Sequence, residues 1–337
     1  MALILSAGTL LQGRYRVERL LGQGGMSRVY LAQHLHLARP VALKAVQLST
    51  NVHQNRQHAA QLEVEAQIMA SLVHPHLAMV LDFFTERGVP YLVMELISGR
   101  DLEQVAQLAP NPLRQRRVLE MADQLLSALE YLHERTPPVI VRDLKPSNVM
   151  LDAQGQLKLI DFGLAKRLDP QQGTTSLTKG MGSVGYAPLE QYGEGSTDQR
   201  SDLYALGATL YFLLTDQAPP EAAARAAGKG DLTDPRTLNP SVTAELWSEL
   251  QALMALNPDQ RPASAREVRR RLGLQSAAGV ACPRCQKPLV AVARDGVMLD
   301  QCQRCGGFWL DRGELEQLGA AGRSLWQQFT ALLRGAP

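Results

Sequence analysis

The stretch Val141-Arg142-Asp143-Leu144-Lys145-Pro146-Ser147-Asn148 constrains this chain more than any other. It is a polar loop between apolar runs, with a carboxylate, an ammonium two residues on and a carboxamide three beyond that. Those groups suit phosphoryl transfer. Asp143 can accept or orient the proton of an attacking hydroxyl, Lys145 can neutralise charge on the moving phosphoryl group, and Asn148 can hold a metal ion. An isolated Arg-Asp-x-Lys is weak evidence, because it arises by chance in helices and turns. The reading therefore requires partner residues elsewhere, in the right order.

At 337 residues the chain is long enough for two domains, one large and one small. Its net charge of +2 sets up no global basic field for nucleic acid or an anionic membrane. Aromatic residues make up only 5%, which favours a helix-rich chain with an aliphatic core. Residues 1–5 are apolar but too short for a signal peptide, and they lack a basic start. The best apolar run, 203–214, falls short of the roughly 20 residues a membrane helix requires. The expected compartment is the cytosol, where two Cys-x-x-Cys pairs are read as metal ligands ahead of disulfides.

From the N-terminus, residues 14–21 read as a strand running into Gly22-Gln23-Gly24-Gly25-Met26-Ser27, with a second strand at 29–32. Glycines there let backbone amides approach phosphate oxygens, although an ordinary glycine-rich hairpin has the same composition. Val41-Ala42-Leu43-Lys44 is a short apolar strand ending in a cation, and the helical stretch 57–72 offers Glu63 and Glu65 as its carboxylate partner. His74-Pro75-His76 ends that helix, its histidines reading as helix-stop and packing residues. Strands follow at 80–84 and 89–96 around a turn at 86–88, and Asp101 stands in a segment that caps the next helix. A core helix spans 112–133, with Met121, Leu125, Leu129 and Leu132 on its apolar face. After the opening loop, a hairpin turning at 154–156 delivers Asp161-Phe162-Gly163. Residues 164–181 are polar and rich in hydroxyls, and 203–214 is apolar all round, as a central helix should be. Helices at 245–256 and 263–272 close this region.

In this order and spacing, the motifs resemble the eukaryotic-type serine/threonine protein kinase family in its bacterial form, over roughly 13–273. The resemblance implies an α+β, two-lobed fold, with a small β-rich lobe at about 13–98 and a large helical lobe at about 99–273. It implies ATP as cosubstrate with Mg2+ or Mn2+, protein substrates presenting Ser or Thr, and a homodimer for autophosphorylation in trans. Asp143, Lys145 and Asn148 would be catalytic, with Asn148 and Asp161 holding the metal. Lys44 would hold the α and β phosphates, steered by Glu65 of Val64-Glu65-Ala66-Gln67, with Glu63 as the fallback. The nucleotide would lie among Leu21, Gly22, Gly24, Gly25, Ser27, Val29, Ala42 and Met150. Met94 would be the gatekeeper, and Glu95 to Ile97 would offer backbone groups to adenine.

Residues 164–181 would be the activation segment, phosphorylated at Thr175 or Thr178 and ordered through Arg142. Glu190 and Arg261 should form a buried ion pair, and Asp202 should brace the catalytic loop through its backbone. Three positions depart from the family pattern: Ser27 replaces the third glycine, Val141 a histidine, and Leu189 the proline of Ala-Pro-Glu. Valine at 141 can still pack against Phe162, so altered stability is expected and not loss of chemistry. An ATP-binding pseudokinase scaffold is the competing class.

Beyond a linker at 274–280, Cys282-Pro283-Arg284-Cys285 and Cys302-Gln303-Arg304-Cys305 flank a hairpin around Arg294-Asp295-Gly296. Residues 281–318 are similar to the transcription-factor type of zinc ribbon, and 319–337 form a tail. Four thiolates imply structural Zn2+, although iron takes the same ligands and two disulfides are the competing chemistry. Nucleic-acid contact is the expectation attached to the family name, yet basic and acidic residues are interleaved here. A protein-docking or sensor role stands beside it.

Overall fold

Hydrophobic alternation in the first hundred residues resolves, in a computed structural model, into a six-stranded antiparallel sheet whose strands follow chain order except that the last two exchange places. The structure describes residues 5–23, 27–46, 66–109, 112–160, 183–192, 197–274, 282–285, 289–294 and 297–309, with Glu63, Lys166, Arg167 and Lys287 as single positions. Gly24, Gly25, Glu65, Asp161, Phe162, Thr175 and Thr178 lie outside the described residues, as do 275–280 of the linker and the tail. The chain divides into two units, Met1–Val268 and Arg269–Pro337.

In the first unit, β1 (Leu10–Leu11), β2 (Tyr15–Gln23), β3 (Ser27–His34), β4 (Arg39–Val46), β5 (Val80–Glu86) and β6 (Val89–Glu95) make the large sheet. Its first strand lies ahead of Gly13, and Leu5 and Leu11 are buried with Tyr15, Val17, Tyr30, Val41, Leu43 and Val93. Side chains two apart share a face of a strand, so one face of each strand feeds this core. Rings reinforce it: Tyr15 stacks on Phe84 at 5.6 Å and Phe84 on Tyr91 at 5.1 Å. Tyr15 donates to Asp82 (2.7 Å), and burial, then that bond, pushes its hydroxyl up to about 12. The pairing of β2 with β3 shifts register twice, between Val17 and Arg19 and between Leu20 and Gly22, where the strand approaches the glycine-rich turn.

The histidines after the first helical stretch pack as their positions suggest. His74 lies 3.3 Å from Ser127 Oγ, and burial foremost, with His76 beside it, pushes its ring down to about 4. His76 Nδ1 meets the Leu157 carbonyl at 3.0 Å.

The large lobe is built around one helix. Short β7 (Gly99–Asp101) leads into α1 (Leu102–Leu108), capped by Asp101, which accepts from the Gln104 amide at 2.8 Å. Next, α2 (Gln115–His133) buries Val118, Met121, Ala122, Leu125, Leu129 and Leu132, spacings of three and four that trace one helical face. It packs on α3 (Gln199–Thr215), which is buried from Ser201 to Thr215. The helices α4 (Ala222–Ala226), α5 (Ala244–Leu253) and α6 (Ala265–Arg271) follow. At Gly207 of α3 a methyl group would meet Leu253 Cβ at 2.8 Å, so glycine is what lets α3 and α5 approach this closely. Between the helices, β8 (Val139–Ile140), β9 (Val149–Asp152), β10 (Leu157–Leu159) and β11 (Lys166–Arg167) complete two small sheets, β7-β9-β10 and β8-β11.

In the second unit, β12 (Leu289–Arg294), β13 (Val297–Cys302) and β14 (Phe308–Trp309) form an antiparallel sheet, the hairpin expected between the cysteine pairs.

Candidate active site and metal centre

Strand β8 delivers the chain to Asp143, and a single 3-10 turn over Pro146–Asn148 carries it into β9. Folding that short segment back on itself brings two donors to one carboxylate, and Ser183 supplies a third from 40 residues on. Lys145 Nζ donates to Asp143 Oδ2 at 2.9 Å, and Asn148 Nδ2 donates to the same oxygen at 2.9 Å and to the Asp143 carbonyl at 2.8 Å. Ser183 Oγ donates to Asp143 Oδ1 at 2.8 Å and accepts from Lys145 Nζ at 2.7 Å. The carboxylate is fixed in orientation, while its side chain stays 19% exposed and so within reach of a reactant. No described residue donates to Asn148 Oδ1, a hard oxygen of the kind that suits a divalent cation.

The loop hangs on Asp202, which is fully buried in the first turn of α3. Its carboxylate accepts from the Val141 amide (2.9 Å) and the Arg142 amide (2.8 Å), and it meets His133 Nε2 at 2.8 Å. Val141 is buried, as a packing role at that position requires, but the imidazole that reaches Asp202 comes from the last turn of α2.

On the small-lobe side, the register of β4 with β6 sets Ala42 opposite Met94 and Lys44 opposite Leu92. Ala42 and Lys44 thus share one face of their strand. Gly22 and Ser27 stand at the ends of the hairpin formed by β2 and β3, with Leu21 and Val29 beside them. Met150 pairs with both Asp101 and Lys158. The Ile160 amide donates to the Asn148 carbonyl at 3.0 Å, tying the residue before Asp161 to the catalytic loop. The Glu95 amide already donates to the Met79 carbonyl (2.9 Å), so that N–H is not free for a base. The Glu95 carboxylate accepts from Lys158 Nζ (2.7 Å) and from the Met79 amide (2.9 Å), linking β6 to β10.

Glu190 and Arg261 form the anticipated pair, at 2.6 and 3.1 Å, with the arginine side chain fully buried. Ser201 Oγ adds a bond to Glu190 at 2.8 Å. Leu189 packs with Tyr204, Ala208 and Met254, so the missing proline is replaced by apolar contact.

Among the described residues, one cluster suits a metal ion: Cys282, Cys285, Cys302 and Cys305, whose sulfurs lie within 4.8 Å of one another. The nearest sulfur pairs, Cys282 with Cys305 and Cys285 with Cys302, are 3.5 and 3.3 Å apart. A tetrahedral zinc site with Zn–S near 2.3 Å has ligand edges of about 3.8 Å, so the set fits that cation. Both knuckles close alike, Cys282 N–H donating to the Lys287 carbonyl and Cys302 N–H to the Gly307 carbonyl, each at 2.8 Å. Hydrogen bonding from the Cys305 backbone, foremost, pulls the Cys302 thiol down, while the Cys285 and Cys305 thiols of the same cluster are pushed up.

Residues 15–271 match the model described as protein kinase domain. The chain belongs to the protein kinase domain family. Residues 281–321 match the model described as transcription factor zinc-finger. PrkC of Bacillus subtilis is 32% identical over 77% of this chain and 40% of its own length. PknB of Mycobacterium tuberculosis is 33% identical over 77% of this chain and 42% of its own. Pkn3 of Myxococcus xanthus is 36% identical over 77% and 49%. All three are named as serine/threonine-protein kinases, and the chain spans less than half the length of each. The crystal structure of the Mycobacterium tuberculosis PknI kinase domain superposes with a TM-score of 0.64 at 28% identity, covering 80% of this chain and all of that one. No described helix is long and apolar enough to cross a membrane.

Four contributors escaped the motifs. Ser183 lies in the stretch 182–190, which resembles the substrate-docking loop of the family but does not announce a bond to Asp143, and His133 reads as the end of a core helix. The Lys158 to Glu95 pair joins residues 63 positions apart, which no local pattern announces. Gln191 is the fourth, donating from Nε2 to the Arg142 carbonyl.

Proposed function

We propose that this protein is a serine/threonine kinase that moves the γ-phosphoryl group of ATP onto protein hydroxyls, its own included. The observation that carries this reading is the Asp143 carboxylate held by Lys145, Asn148 and Ser183 at 2.8 to 2.9 Å. Asp143 would orient the attacking hydroxyl and receive its proton, and Lys145 would face charge on the phosphoryl oxygens. Lys44, steered by Glu65, would hold the α and β phosphates, with the base between Ala42 and the segment from Met94 to Ile97. The carbonyl of Glu95 and the amide of Ile97 are the backbone groups we assign to it. Asn148 and Asp161 would hold Mg2+ or Mn2+, which neutralises phosphate charge when bound. The four cysteines would hold structural zinc, since a full thiolate set leaves no open position for water.

The scaffold alternative rests on the replacements at 141 and 189. Both are accommodated, Val141 through its amide on Asp202 and Leu189 by packing.

Incubation with ATP and Mg2+ followed by peptide mapping tests the proposal. Phosphate is expected on Thr175 or Thr178. ATP binding with every peptide left unmodified would favour the scaffold.

A further inference from the structure

Arg142, immediately before Asp143, is buried and adopts φ 67°. A residue with a Cβ is disfavoured there by contact with its own carbonyl, so surrounding bonds must hold it. On one side the hold is Asp202, whose Oδ1 accepts from the Arg142 amide at 2.8 Å. On the other side, Gln191 Nε2 donates to the Arg142 carbonyl. That carbonyl belongs to the peptide that enters Asp143, so its rotation would swing the Asp143 carboxylate away from Ser183 and Lys145.

We propose that Gln191 is a positioning residue for phosphoryl transfer, clamping the Arg142–Asp143 peptide from the segment that carries Glu190. The inference rests on the kinase reading above. Gln191 is well placed to act as a fixed arm. Its 3-10 turn (Leu189–Gln191) is closed by the Gln191 amide on the Pro188 carbonyl at 3.1 Å. The turn is anchored one residue earlier by the paired Glu190–Arg261 bonds and by Ser201. Glutamine also supplies the right chemistry, reach with an N–H at the tip. Glutamate would set a charged acceptor against a carbonyl, and methionine would keep the length but lose the donor.

The test compares wild type with Gln191→Met in the full chain, using ATP kinetics and hydrogen exchange. Loss of one side of the clamp on a left-handed residue is expected to lower kcat about tenfold, with KM for ATP within about twofold. Amide exchange should speed up in a peptide covering 139–148 and stay unchanged across α3. Wild-type kcat together with unchanged loop exchange would overturn the inference. So would exchange rising equally in α3, which marks general destabilisation. If wild type itself transfers no phosphate, the kinase reading falls, while loop exchange in Gln191→Met still decides whether the clamp exists.

Discussion

Asp202→Ala is expected to abolish phosphoryl transfer and to cost the kinase unit a large share of its stability. The side chain is fully buried and accepts from two backbone amides, at 2.9 and 2.8 Å, while also meeting His133 at 2.8 Å. Alanine cannot replace those acceptors, and water has little access to the site. Each buried donor left without a partner costs about 1–3 kcal/mol, set against a typical domain stability of about 5–15 kcal/mol. The loss also removes one of the bonds holding Arg142 in its left-handed conformation. Asp202→Asn, which keeps one carbonyl acceptor, should fall between the two. Urea denaturation with a parallel transfer assay checks this, and an alanine variant with wild-type midpoint and rate would refute the brace.

Removal of the metal should have the second large effect, confined to the C-terminal unit. Its described sheet has strands of six, six and two residues, and its buried cluster centres on Cys282, Leu289 and Cys302. So small a core cannot offset the entropy of ordering the chain. Zinc in comparable small sites contributes about 10–16 kcal/mol at neutral pH, and that binding energy is folding energy. Chelation at pH 7 should therefore unfold the ribbon and expose its thiols. All 4 cysteines of the chain lie there, so a thiol reagent reports on this unit alone. Four thiols should become reactive only after chelation, with the melting transition of the kinase unit unmoved. Thiols reactive beforehand, or zinc absent by elemental analysis, would contradict the assignment.

Much of this was legible in the sequence because the decisive contacts are either local or imposed by rigid geometry. Lys145 and Asn148 lie within five residues of Asp143, so one tight loop brings them together. Glu190 and Arg261 are 71 residues apart, and family resemblance alone foretold that pair. The β5 to β6 pairing follows from strand alternation and the short turn between them. What stayed hidden depends on three-dimensional docking. Ser183 belongs to a recognisable stretch, 182–190, but its bonds to Lys145 and Asp143 arise only when that stretch docks on the catalytic loop. His133 reaches Asp202 only because the end of α2 packs against the start of α3. The carboxylate of Glu95, at the end of β6, meets Lys158 of β10 across two different sheets, a contact that periodicity in either strand cannot encode.

The central claim is that the Asp143 carboxylate performs proton handling in transfer of phosphate from ATP to Ser or Thr. The most direct measurement is the initial rate of label transfer from γ-labelled ATP, with phosphoamino acid analysis, for wild type and Asp143→Asn. Asparagine keeps the size of the side chain but cannot take the proton. The account predicts label on serine and threonine, and a rate lower by about 10²–10⁴-fold in the variant, the span typical of general base removal. Equal rates, or no label in either protein under conditions where ATP binds, would contradict it.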